Sequence, residues 1–425
     1  MLALVFSVAA LFVQPDTTFR PSPAPADTSR SDVEEALVEV VDEVRSLRVQ
    51  PLFSPSSLYS PSKGFGIAGG VGVEGLLSDD DYAELAARLS ERLQGVYAEY
   101  LTGDPRRHRL FGLVGGAAGT TSRSRFVGHG PSSPAGAELF LDRYAVEAEA
   151  RLGWSPGRPG RVLLEPVVRF RVDRLRGYEE VEPGDLAAVA PSDLARLDAL
   201  RGDARVGAEA GLIAVLDTRD LPTMPSRGVY AQGQVTRFQA LDGAGLAFTR
   251  VQALGYVFRP APIRLPFLPE RGALFVRLNG VVTREEGGDP LPWVYLPVLD
   301  GDLLVGYPRR DFVGRDAFSV TVGARAVIAQ LIGAFLIEGV AEGMAGAAYD
   351  DVFRQFTPRV RFTQGRVAEG EGVPLRPSAA VGLNLRFIDR ERPILSALVG
   401  VGPGGVSFAS LRLVYGLTDY RPRIR

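Results

Sequence analysis

The chain has 425 residues, enough for one large domain or two ordinary ones. Its formal net charge of −2 offers no field that would attract nucleic acid. Cysteine is absent, which removes disulfides, thiolate metal sites and cysteine nucleophiles. No internal apolar run reaches the ~18 residues that a spanning helix needs, but a β-barrel escapes that test because only every second residue of a strand faces lipid.

Leu2 to Val13 is apolar and reads as the core of a signal peptide without a basic leading region, or else as a misassigned start. Residues 14–30 are rich in Pro, Ser and Thr, so 1–30 reads as leader and linker. Ser31 then opens a helix with Glu34 completing a capping box, and Val33, Leu37, Val40, Val41, Val44 and Leu47 recur at helical spacing. A second Pro/Ser-rich stretch, Pro51 to Ser62, follows, so 31–63 reads as a short helix and a linker.

From Gly64 the period becomes two, and 64–418 reads as one all-β domain followed by a tail, 419–425. Val162, Leu164, Val168, Phe170 and Val172 oppose Glu165, Arg169, Arg171 and Asp173. The same alternation sets Val146, Ala148, Ala150 and Leu152 against Glu147, Glu149 and Arg151. It sets Leu274, Val276 and Leu278 against Arg277 and Asn279, and Val320, Val322 and Ala324 against Thr321 and Arg325. Val381, Leu383 and Leu385 oppose Asn384 and Arg386. These strands run about 10 residues or more, the length a tilted strand needs to cross a bilayer. Tyr82 to Thr102 fits a helix nearly as well as a strand.

Short connections (155–161, 330–333, 389–393) alternate with long ones (177–203, 285–316, 347–377), the asymmetry of a membrane barrel. The first long one is expected to hold a small helix with Ser192 as cap and Gly202 as stop. The fold class is therefore a transmembrane antiparallel β-barrel of about 14–16 strands with a short N-terminal helix.

Chemistry is sparse. Gly64-Phe65-Gly66-Ile67-Ala68-Gly69 matches a dinucleotide fingerprint, but it follows a Pro/Ser loop and leads into more glycines rather than a helix. His108 and His129 lack metal-ligand spacing. No catalytic motif is present, so no enzyme activity, metal or cofactor is expected. Glu338 and Glu342 share one face of a strand. They are either an acid–base pair or, the plainer reading, lumen charges answered by arginines of neighbouring strands.

Two segments are more specific. Asp217-Thr218-Arg219-Asp220-Leu221-Pro222-Thr223-Met224-Pro225-Ser226-Arg227-Gly228 joins two strands. Leu296 to Tyr307, continuing through Arg309 and Arg310, lies in a long loop before another. The first resembles the D-x-R-D-x-P-x-x-P-x-x-G turn of the bacterial surface antigen superfamily, the outer-membrane assembly and translocation barrels of the BamA and TamA type. The second resembles that family's lumen loop, and Phe126-Val127-Gly128-His129-Gly130 resembles its F-[FV]-G-x-G loop. The resemblance spans Gly64 to Leu417. It implies a loop tip at Val305, Gly306, Tyr307, Arg309 and Arg310, with Glu338 or Glu342 as the acid that the tip would meet. Val305 stands where the family has arginine. The 63 residues before Gly64 are too few for the family's periplasmic polypeptide-transport-associated domains. The resemblance implies an outer-membrane protein that helps insert or translocate polypeptide or lipid. Its expected partners are outer-membrane lipid and an unfolded client or a separate periplasmic protein. The departures leave a passive pore or structural barrel as the alternative.

Overall fold

The structure is a computed structural model that describes residues 48–413 apart from 55–58, 61–63, 79, 92, 106, 127–138, 177–190, 199–203, 222–224, 262–271, 300–303, 305–306, 308–311, 332–334, 363–371, 388–392 and 403–404. The expected leader, the helix over 31–47, the Val127–Gly130 loop and the tail 419–425 lie outside the described residues.

The wall opens with β1 (Arg48–Ser54, continued by Tyr59–Ser60), β2 (Gly64–Glu74), β3 (Tyr82–Ser90), β4 (Leu93–Thr102) and β5 (Leu110–Phe126). It continues through β6 (Leu139–Trp154), β7 (Val162–Arg176), β8 (Arg205–Asp217), β9 (Gly228–Ala240), β10 (Ala247–Pro260) and β11 (Ala273–Glu285). Its last strands are β12 (Asp316–Leu331), β13 (Phe335–Tyr349), β14 (Val373–Phe387), β15 (Pro393–Gly402) and β16 (Gly405–Leu413). Each strand pairs antiparallel with the next in sequence. Leu411 of β16 pairs in turn with Tyr59 of β1, so among the described residues the ladder comes back to its first strand through one residue pair. The sheet's 18 segments thus make sixteen wall strands, because β1 is in two pieces and Phe356–Val360 lies outside the ring.

Two sequence expectations change here. The Pro/Ser-rich stretch from Pro51 contains a wall strand: Arg48–Ser54 pairs with Ala68–Glu74 of β2. Proline is tolerated because β1 lies at the margin of the ladder. Tyr82 to Thr102 is two strands, β3 and β4, joined by a two-residue turn at 91–92. Leu85 and Leu89 are four apart, an even spacing that puts them on one face of a strand as well as of a helix.

The two faces of the wall are inverted relative to a soluble sheet. Val114, Leu152, Val168, Phe170, Leu212, Val235, Val276, Leu278, Val322, Val381 and Leu383 point outward and are exposed. Glu165, Asp173, Glu209, Gln232, Gln234, Thr236, Gln252, Asn279, Thr321 and Glu338 point inward and are buried. On β7 alone, Phe170 is 54% exposed while Asp173 is 0% exposed. A continuous apolar outer face of this size is far larger than a soluble monomer carries, whereas a lipid-facing wall requires it. No described helix is long and apolar enough to cross a membrane.

Because neighbours are antiparallel, successive connections alternate between two ends. The long ones (127–138, 177–204, 286–315, 350–372) all fall at one end, hereafter the far end. A helix is present in the second of these as α1, Pro191–Asp198; Ser192 lies inside its first turn rather than capping it, and Gly202 lies outside the described residues. Val322→Arg, mid-wall on the outward face of β12, is expected to cost about 2–4 kcal/mol in urea unfolding from phospholipid vesicles, with Val322→Leu close to neutral. An unchanged midpoint for the arginine variant would mean that this face lies in water.

Candidate functional site in the lumen

The long connection 286–315 leaves β11 and folds into the lumen. Leu291, Trp293, Tyr295 and Leu296 are buried among Leu139 and Leu141 of β6, Leu175 of β7, Phe238 and Ala240 of β9 and Phe248 of β10. The Phe238 and Phe248 rings stack at 4.9 Å, and the Tyr295 ring lies 5.2 Å from Phe238. Burying each large side chain of this kind contributes roughly 1.5–3 kcal/mol. Cations bolt the backbone in place. Arg196 of α1 donates to the Leu291 carbonyl at 2.7 Å and to Glu285 at 2.9 Å. Arg250 of β10 donates to the Tyr295 carbonyl and, at 3.2 Å, to the Thr283 hydroxyl.

The same connection then forms a small hairpin, Val298–Leu299 against Phe312–Val313. Leu299, Leu304 and Tyr307 pack on Ala317 of β12, Met344 of β13 and Ala380 of β14. The Tyr307 hydroxyl donates to the Pro377 carbonyl at 3.0 Å. Tyr307 is thus held on the lumen face of β12–β14. Val305, Gly306, Arg309 and Arg310 lie outside the described residues.

Glu338 is buried on the lumen face of β13, 3.7 Å from the Arg325 guanidinium of β12, and accepts a hydrogen bond from Asn384 of β14 at 3.0 Å. Glu342 is half-buried two strand repeats further along the same face, next to Met344. Among the described contacts, Glu338 meets wall residues rather than the loop. Arg325 also donates to the Pro225 carbonyl, which ties the β8–β9 turn to the lumen wall.

That turn explains most of its motif. Asp217 accepts two bonds from the Arg219 guanidinium, at 2.8 and 2.6 Å, and Arg219 lies over the Tyr230 ring at 4.6 Å. Asp220 accepts from the backbone N–H of Leu221, Ser226 and Arg227 at 3.0, 2.9 and 3.2 Å and from the Ser226 hydroxyl. Burial opposes its ionisation, but these donors outweigh it and hold Asp220 below the ordinary carboxylate range. Gly228 has φ of 111°, and a Cβ there would stand 2.5 Å from the Thr218 carbonyl oxygen. Pro222 lies outside the described residues.

Charges along β6–β8 neutralise one another across the lumen face. Arg169 contacts Glu149 and, at 3.0 Å, Glu209, while Arg171 meets Glu147 at 2.8 Å and Arg143 meets Asp173 at 2.9 Å. Among the described residues no group of three or more His, Cys, Asp or Glu could hold a metal ion, and His108 faces Asp80 at 3.1 Å. The sequence reading missed Trp293, Tyr295, Arg196 and Arg250. An apolar run inside an otherwise polar loop, Leu291 to Leu299, was the available signal.

No protein-family model and no curated protein matches the sequence. Solved structures do. The chain is similar to BamA from Haemophilus ducreyi lacking POTRA domains 1–3, with TM-score 0.57 and 12% identity, covering 86% of this chain and 69% of that one. It is also similar to CdiB from Escherichia coli, with TM-score 0.51 and 11% identity, covering 88% of this chain and 60% of that one. The fold is therefore that of the BamA-type barrels.

Arg325→Ala strands Glu338 in the wall and is expected to cost about 3–5 kcal/mol, while Arg325→Ala combined with Glu338→Gln recovers part of it, as a double-mutant cycle in urea would show. Gly228→Ala is expected to destabilise by about 1–3 kcal/mol through its left-handed backbone. The turn's ionic contribution has a definite sign. Asp220 titrates lower when folded, so its stabilisation is complete above the unfolded value of about 4 and is lost as pH falls through the depressed one. Asp220→Asn should flatten that acid limb in a stability–pH profile.

Proposed function

We propose that this chain is an outer-membrane barrel of the bacterial surface antigen superfamily that assists the insertion or passage of polypeptide or lipid. The observation that carries the reading is the combination of a lumen-packed loop with a ladder whose first and last strands meet, among the described residues, through one residue pair, Tyr59 with Leu411. The similar solved structures are outer-membrane barrels of Gram-negative bacteria, which supports the location. The mechanism follows from the energetics of that junction. Elsewhere a neighbouring pair must break a long ladder to separate, β5 and β6 for instance sharing pairs from Leu110–Trp154 to Phe126–Leu139. At the β1–β16 junction the described residues contribute one pair, so on this reading the junction opens there and offers an unpaired edge to a client strand or a lipid. The partners on this reading are outer-membrane lipid and an unfolded client.

The absence of cysteine makes the test clean. Tyr59→Cys with Leu411→Cys introduces the sole thiols, at positions already paired across the strands. Oxidation is expected to abolish the variant's ability to restore outer-membrane protein levels in depleted cells, and reduction to return it. Equal function of the oxidised and reduced forms would remove the lateral-opening mechanism. The passive-barrel reading keeps one observation, Val305 in place of the family's loop-tip arginine. Steady open conductance in planar bilayers, with normal levels of other outer-membrane proteins after depletion, would favour it.

A further inference from the structure

Residues 350–362, the described first part of the connection 350–372, do not simply project from the far end. They turn back over the outside of the wall. Tyr349 and Ala347 of β13 and Val373 and Leu375 of β14 have outward parity, yet Tyr349 is 0% exposed and the others are buried as well. The cover is the segment that follows. Val352 of α2 (Val352–Gln355) packs on this cluster. Phe356 sits edge-on to Phe318 of β12 at 6.0 Å and 6.4 Å from the Tyr349 ring. Phe356–Val360 then runs parallel to the start of β14, from Phe356 opposite Val373 to Val360 opposite Leu375. Asp316, fully buried, pins the root: it accepts from Val352 N–H at 2.9 Å, Thr283 N–H at 3.0 Å and Arg284 at 2.8 Å.

This strap has an outer surface of its own, and its composition is unusual. Phe353 is 80% exposed, Phe362 74%, Val360 47% and Phe356 46%. Val352 to Phe362 contains Arg354, Arg359 and Arg361; Asp350 and Asp351 precede it, and Asp351 lies 3.6 Å from Arg354. The Arg354 side chain is 87% exposed, and Arg359 is exposed as well. Below the strap the outward face continues without a break into the apolar band through Val322, Ala341 and Val381. Exposed aromatics beside arginines, at the margin of an apolar wall, match the boundary between acyl chains and headgroups. Arginine supplies planar, paired donors to phosphate oxygens.

We propose that the Val352–Phe362 strap is an interfacial anchor that seats in the far-end leaflet. Phe353 and Phe362 enter the headgroup–acyl boundary, and Arg354 and Arg359 bind the phosphates of anionic lipid. The occupant is lipid because the strap lies on the face that the bilayer already covers, and its charge is opposite to that of the headgroups. The proposal rests on the barrel spanning a bilayer, so the test must report that separately.

The native tryptophans allow this. Trp154 is 48% exposed on the outward face of β6 near the opposite end, and Trp293 is 0% exposed in the lumen plug. Full-length protein folded into vesicles of phosphatidylcholine and phosphatidylglycerol is compared with and without chain-brominated lipid. Quenching of Trp154 in the wild type reports the barrel in the bilayer. Phe353→Trp in a Trp154→Phe background then reports the strap, and bromines near the headgroup end of the chain should quench it more than bromines near the methyl end. If Trp154 is quenched and the Phe353→Trp indole is not, the strap lies in water or under a protein partner and the anchor is overturned while the barrel stands. If Trp154 is not quenched, the bilayer reading itself fails. Arg354→Gln with Arg359→Gln is expected to lower the preference for spin-labelled phosphatidylglycerol over phosphatidylcholine by about two-fold or more. An unchanged preference overturns the phosphate assignment.

Discussion

Everything in this molecule depends on the cost of leaving a peptide group unpaired in hydrocarbon. Each unsatisfied N–H or C=O there costs several kcal/mol, with no water to relieve it. An antiparallel ladder meets that demand strand by strand, and it is complete only where the last strand finds the first. Among the described residues that meeting is the contact between Tyr59 and Leu411. The outward apolar face and the inward charges follow from the same constraint. With the backbone satisfied, side chains sort by solvent, and on β7 that sorting separates Phe170 from Asp173 within three residues.

A polar lumen poses the opposite problem. Charges taken from bulk water need partners, and along β6–β8 they find them in one another: Arg169 between Glu149 and Glu209, Arg171 with Glu147 and Arg143 with Asp173. Toward the far end the lumen face changes character. Leu139, Leu141, Phe238 and Phe248 would line a water-filled mouth if nothing covered them. The 286–315 connection covers them with Trp293 and Tyr295, and its backbone carbonyls are met by Arg196 and Arg250. Wall and loop thus have complementary surfaces, and neither is stable in that arrangement alone.

The wall was legible because its signal is local. Alternation of period two needs only neighbouring residues, and the face assignments for β7 and β11 hold along the strands. What failed depended on partners distant in sequence. Arg48–Ser54 carries a proline and sits among serines, and it becomes a strand only because β2 offers an edge. Tyr82 to Thr102 is ambiguous because four-residue spacing satisfies both periods. Glu338 could be recognised as a lumen acid, but its partners, Arg325 and Asn384, depend on strand register, which no single segment encodes. The turn from Asp217 to Gly228 was recognised by its pattern, and its physical reasons, two carboxylate caps and a left-handed glycine, became visible only in three dimensions.

The distribution of these contacts makes the wall uneven. The plug's described contacts fall in two groups, one on β6, β7, β9 and β10 and one on β12 to β15. The turn that holds Pro225 against Arg325 likewise links β8–β9 to β12. At the β1–β16 junction the described residues give one backbone pair, where β5 and β6 share a ladder from Leu110 to Phe126. A net hydrogen bond contributes only about 0.5–1.5 kcal/mol where water competes for its groups. Breaking that pair thus asks for little in a hydrated or thinned membrane. Separating any braced pair means dismantling a long ladder and, across β6 to β14, the buried plug or its anchors as well.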